Sequence, residues 1–92
     1  MKSFGEYIRK IREERNLPLR KVAAALDIDT SILSKIERNE RIATKEMIPI
    51  LSEILEISEK EIEIKFIQSV IESNLGELKY LKDGLEKTLN TL

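Results

Sequence analysis

The sequence predicts an all-α protein: five helices followed by an additional C-terminal helical stretch. Three observations carry that expectation. Apolar residues recur three and four positions apart along most of the chain, the spacing that gathers them on one face of a helix. The residues that interrupt the pattern are Ser, Thr, Asn and Asp, which start and stop helices by side-chain capping or by adopting a left-handed backbone. The hydrophobic 41% is nearly all aliphatic, with 4% aromatic residues and no tryptophan, while 16 basic residues face 17 acidic ones. Such a balance suits amphipathic helices rather than a disordered polycation. At 92 residues the chain has room for one domain with one appended element, since a chain this short buries only about 60 to 65% of its unfolded surface.

Phe4, Tyr7, Ile8 and Ile11 share one face of a first helix running from Ser3 to about Arg15, and Ser3 with Glu6 forms a capping-box pair. Asn16 stands where a left-handed residue would close it. Pro18 suits a first helical turn, and Leu19, Val22, Ala23 and Leu26 continue at helical spacing to the neighbourhood of Asp27. After Asp27-Ile28-Asp29, either Asp29 or Thr30 can cap a third helix that turns Leu33 and Ile36 inward and ends near Arg38. Asn39 is the next left-handed candidate. Thr44 is the expected cap of a fourth helix bearing Met47, Ile48, Leu51, Ile54 and Leu55, in which Pro49 calls for a kink or a late start. Ser58 and Glu61 repeat the capping box and open a fifth helix through Ile62, Phe66, Ile67, Val70 and Ile71. Beyond it the pattern allows one continuous helix or two, because Gly76 and Gly84 each cost about 1 kcal/mol against alanine.

The absence of histidine and cysteine removes most enzyme chemistry. No ordinary zinc, haem or iron–sulfur site can form, and no Ser-His pair. With three glycines there is also no Gly-rich phosphate loop. The expectation is therefore no enzyme, no cofactor and no metal. Glu13-Glu14 and Glu59, Glu61 and Glu63 look like carboxylate clusters but radiate to different faces of a helix. The opening Met1-Lys2-Ser3-Phe4-Gly5-Glu6 has no apolar leader, and the longest apolar run, Val22 to Leu26, is too short for a bilayer. A soluble, cytoplasmic protein with no membrane partner is expected.

Two short helices joined by Asp27-Ile28-Asp29 make a helix-turn-helix, whose second helix fits a DNA major groove. The stretch Phe4-Gly5-Glu6-Tyr7-Ile8-Arg9-Lys10-Ile11-Arg12-Glu13-Glu14-Arg15-Asn16-Leu17 comes first. Val22-Ala23-Ala24-Ala25-Leu26 and Ser34-Lys35-Ile36-Glu37-Arg38-Asn39 follow, before a leucine-rich close from Leu51 to Ser58. In this order and spacing they resemble the Cro/cI-type, or xenobiotic-response-element, helix-turn-helix family over residues 4 to 58. The resemblance implies a five-helix DNA-binding domain and an ion pair between Arg12 and Glu37 that braces the first and third helices. The family usually has Gln opening helix two, on a DNA phosphate, and here stands Leu19. Its two glycines at the helix ends are replaced by Asp27 and Asn39, which tolerate positive φ.

With Leu33 and Ile36 inward, the outer arc of the third helix offers Thr30, Ser31, Ser34 and Lys35 for base readout, Lys35 being able to donate to guanine O6 or N7, and Ile32 to meet a thymine methyl. Arg38, Arg41 and Lys45 around the following loop, with Arg20 and Lys21 at the start of helix two, are the phosphate candidates. Net charge is no guide: residues 1–58 carry 11 basic and 10 acidic side chains, residues 59–92 carry 5 and 7. Local clustering must supply the field.

Seven-residue steps from Ile64 reach Ile71, Leu78, Leu85 and Leu92, interleaved with Ile67, Asn74, Leu81 and Thr88 and flanked by Leu75 and Leu89. This seam is either internal core or a surface for a partner helix. Dimerisation through Ile67, Ile71, Leu75, Leu78, Leu81, Leu85, Leu89 and Leu92 is the preferred use. The chain then divides into a DNA-binding domain, 1–65, and a dimerisation segment, 66–92. The expected partner is double-stranded DNA, bound at an inverted repeat by a homodimer. The alternative is an antitoxin-like or adaptor module that holds a different protein and binds DNA weakly or not at all.

Overall fold

The computed structural model describes residues 3–92. Their order is α1 (Phe4–Glu14), α2 (Leu19–Ala25), α3 (Thr30–Glu37), α4 (Met47–Leu55), α5 (Glu59–Leu75) and α6 (Leu81–Thr91), with no strand among the described residues. The reading that the chain opens without a leader rests partly on Met1 and Lys2, which lie outside them.

Helix ends follow the local chemistry. Ser3 Oγ accepts from the Glu6 N–H at 3.2 Å, and Ser58 Oγ from the Glu61 N–H at 3.1 Å, each satisfying one otherwise orphaned donor. Asn16, Asp27 and Asn39 carry φ of 56°, 56° and 63°, closing α1, α2 and α3 with left-handed residues. Glu56 is a fourth, at φ 55°, and no sequence signal marks it. Bonds within the end of α4 hold it: the Ile57 N–H donates to Ser52 O at 3.1 Å and Ser52 Oγ donates to Ile57 O at 2.6 Å. From α1, Arg15 Nε donates to Leu55 O at 2.9 Å and Nη2 to Glu56 O at 3.1 Å.

Two sequence readings need correcting, and one left open is decided. Thr44 does not cap α4: the helix begins at Met47 with Glu46 in the cap position and no side-chain capping bond. The late start puts Pro49 third in the helix, where its missing N–H would have had no partner anyway. Pro18 sits just ahead of α2, not within its first turn. The tail, which the sequence left open, is two helices, with Gly76 ending α5 and α6 starting five residues later at Leu81.

The core joins Phe4, Ile8 and Ile11 of α1 to Val22 and Ala23 of α2, Leu33 and Ile36 of α3, Ile48, Leu51 and Leu55 of α4, and Ile62 of α5. Each large member, fully buried, contributes about 1.5 to 3 kcal/mol. Phe66 meets Phe4 edge to face with ring centroids 5.4 Å apart at 85°, and the Phe4 N–H donates to Ser69 Oγ at 3.3 Å. The second half of α5 is thus tied to the body, whereas α6 contributes no buried residue. The molecule extends 41 × 24 × 21 Å.

Gly5 is required by a close approach. A Cβ there would run into the Ile36 carbonyl oxygen and lie 3.0 Å from that of Glu37, so the start of α1 presses on the end of α3. Gly84 in α6 has nothing within 4 Å of the same atom. The same Gly→Ala change should therefore act in opposite directions. Gly5→Ala should destabilise by about 1 to 3 kcal/mol through overpacking. Gly84→Ala should favour α6 by about 1 kcal/mol. Thermal melts followed by circular dichroism test both, and a Gly5→Ala protein that melts like the wild type would contradict the contact.

Candidate nucleic-acid interface

The turn between α2 and α3 is built by backbone bonds. The Asp27 N–H reaches Ala24 O at 3.1 Å and the Ile28 N–H reaches Ala23 O at 3.0 Å, while the half-buried Ile28 packs on the core. α3 then lies against both α1 and α2. Leu33, Ile36 and Glu37 are its buried residues.

At 100° per residue the side opposite those three carries Ser31, Lys35 and Arg38, all exposed, with Thr30 exposed at the first helical position. Ile32 and Ser34 lie on the two flanks and are half-buried. Ile32 faces Ala24, Asp27, Ile28 and Asp29, and Ser34 faces a groove beside Leu19. The five base-readout candidates thus divide into an outward set and a flanking pair. Asp29 occupies the cap position without a side-chain bond.

Arg20 and Lys21 are exposed at the start of α2, and Arg41 and Lys45 in the segment after α3. These four have no ion-pair partner among the described residues. Arg38 is engaged, its Nε 3.1 Å from Glu40 Oε2.

Arg12 and Glu37 form a two-pronged pair across α1 and α3: Nε donates to Oε2 at 2.7 Å and Nη2 to Oε1 at 3.0 Å. Arg12 Nη1 also donates to Leu17 O at 2.8 Å, which ties in the link to α2. Glu37 is only 5% exposed. Its hydrogen bonds, ahead of the opposing cost of burial, push the Arg12 guanidinium still higher than its ordinary value, so the guanidinium keeps its charge.

Sequence reasoning missed two residues that support this face. In sequence, Gly5 and Arg15 are members of the Phe4–Leu17 stretch to which no structural role is given. Their roles depend on α3 and α4, far away in the chain.

A family model described as helix-turn-helix matches residues 8–62. The chain belongs to the Cro/cI-type helix-turn-helix family. This is a family of DNA-binding regulators, and the match runs from the core of α1 to the first turns of α5. No curated protein and no solved structure matches the chain. Among the described residues no group of acidic side chains is arranged to hold a metal ion, and no helix is long and apolar enough to cross a membrane.

Breaking the Arg12–Glu37 pair leaves a charge buried without its counterpart. Glu37→Ala should cost about 1 to 3 kcal/mol in urea unfolding. Arg12→Ala with Glu37→Ala should lose less than the two single losses summed. Equal unfolding midpoints for wild type and Glu37→Ala would show that the pair braces nothing.

Proposed function

We propose that this helix-turn-helix protein regulates transcription by binding an inverted-repeat operator as a homodimer, residues 1–65 contacting DNA and residues 66–92 joining the protomers. The reading rests on one observation above all: the face of α3 turned away from the core presents Ser31, Lys35 and Arg38, with Thr30 at its start. Lys35 is the strongest base-edge donor in the set, able to reach guanine O6 or N7, while Thr30, Ser31 and Ser34 offer hydroxyls and Ile32 an apolar edge for a thymine methyl. Arg20, Lys21, Arg41 and Lys45 flank the face, and Arg38 borders it, as positioning contacts to phosphate. Two such faces about a twofold axis enter major grooves about 34 Å apart, one helical turn.

The dimer reading is supported by apolar surface that one chain leaves uncovered. Leu78, Leu89 and Leu92 are 59%, 69% and 93% exposed, and Ile67 and Leu75 are also exposed. An apolar groove of about 570 Å³ runs along Leu75, Leu78, Tyr80, Leu81, Leu85 and Thr88. Ile71, near the end of α5, is half-buried. Surface of this kind marks a binding site. The same groove favours a second reading, an adaptor whose tail holds a different protein.

Titration with random duplex DNA at rising salt should give a steep negative log–log slope, reduced in Lys35→Ala with Arg38→Ala by about 0.9 for each phosphate no longer neutralised. No binding even at low salt selects the adaptor. Sedimentation should find a dimer, converted to monomer by Leu89→Glu, and a dimer that persists would move the interface off α6.

A further inference from the structure

The structure brings together a polar groove of about 260 Å³ lined by Arg9, Arg12, Leu19, Ser34, Glu37 and Arg38. Its floor is already paired, since Arg12 and Glu37 neutralise one another and Arg12 gives a third donor to Leu17 O. Its rim is not. Arg9 from α1 and Arg38 at the end of α3 stand on the rim with side chains 55% and 52% exposed. Each is held only by an exposed carboxylate, Arg9 Nε by Glu13 at 3.5 Å and Arg38 Nε by Glu40 at 3.1 Å. Pairs of this kind are weak because water screens them and two long side chains must be ordered. Ser34, one turn before Arg38 on α3, adds a hydroxyl, while the Leu19 side chain at the start of α2 has no hydrogen-bond donor.

We propose that a DNA backbone phosphate seats in this groove between Arg9, Ser34 and Arg38, displacing Glu13 and Glu40 from the two guanidiniums. Arg9 thereby supplies from α1 the anion contact that Leu19 cannot supply from α2. The groove opens on the edge of α3 that carries Arg38, so a phosphate there is compatible with Lys35 reaching base edges. It has room for several waters at about 30 Å³ each, so the phosphate takes the place of solvent in the groove while the two carboxylates swing off its rim. Duplex DNA, with one charge per about 1.7 Å of axis, presents a field that a lone surface carboxylate cannot match. Guanidinium suits the task, since its planar fork takes two oxygens of one phosphate at once.

The inference rests on the DNA-binding reading, and the test separates the two. Duplex titrations over a salt series compare wild type with Arg9→Ala, Arg38→Ala, their double variant, Arg9→Lys, and Lys10→Ala as a control from another face of α1. Melting temperatures confirm that each is folded. Arg9→Ala should weaken binding equally on all sequences while Lys10→Ala does not. Arg9→Lys should recover much of the loss. Because the two arginines share one phosphate, the double variant should lower the slope by about 0.9 per bound protomer, where two separate phosphates would give about 1.8. Wild-type binding with Arg9→Ala no weaker than Lys10→Ala overturns the shared site, as does a slope reduction of about 1.8. Absence of wild-type binding at low salt removes the DNA-binding reading and this site with it.

Discussion

Glu37 is a carboxylate on the buried side of α3, the helix whose outer face carries Ser31, Lys35 and Arg38, and Arg12 is the cation paired with it. A charge in that position is tolerable only when fully hydrogen bonded, so α1 must lie where Arg12 can present both prongs of its guanidinium. The 2.7 and 3.0 Å bonds therefore fix the rotation of α3 about its own axis as well as its distance from α1. Rotation decides which residues of α3 face outward. A turn of 100° would exchange the outward positions of Ser31 and Lys35 for neighbours on the flanks.

Other contacts reinforce the same constraint. Gly5 lets the start of α1 press against the carbonyl end of α3 close to the ion pair, and the third Arg12 donor ties down Leu17 before α2 begins. Arg15, at the far end of α1, closes the last carbonyls of α4 and steadies the left-handed Glu56. One helix thus touches the ends of two others through its arginines. The aliphatic core supplies most of the stabilisation, but it is non-directional. The arginine contacts supply direction.

The tail obeys a different rule. α5 is held to the body as far as Ser69 by the Phe4–Phe66 contact and the bond to the Phe4 N–H, after which no residue is buried. Beyond Gly76 the chain turns, and the apolar positions that form one seven-residue series in sequence are divided between two helices. They meet instead around the corner, where Leu75 and Leu78 face Leu81 and Leu85.

By itself the sequence determined the all-α class, both serine-capped starts and three of the four left-handed closures, because capping and backbone preference act over a few residues. It also determined which face of α3 is buried, since periodicity carries that information directly. Tertiary structure alone decided the rest. Arg15 reaches from α1 to the carbonyls of Leu55 and the left-handed Glu56, Gly5 is needed only because α3 ends against it, and Ser34 faces the α1 groove while Ile32 faces the turn. Arg9 and Arg38 are 29 residues apart in the chain, and only packing of α1 on α3 puts them on one rim. Periodicity allows the tail one helix or two, and it divides at Gly76, beyond Ile62, the last buried residue.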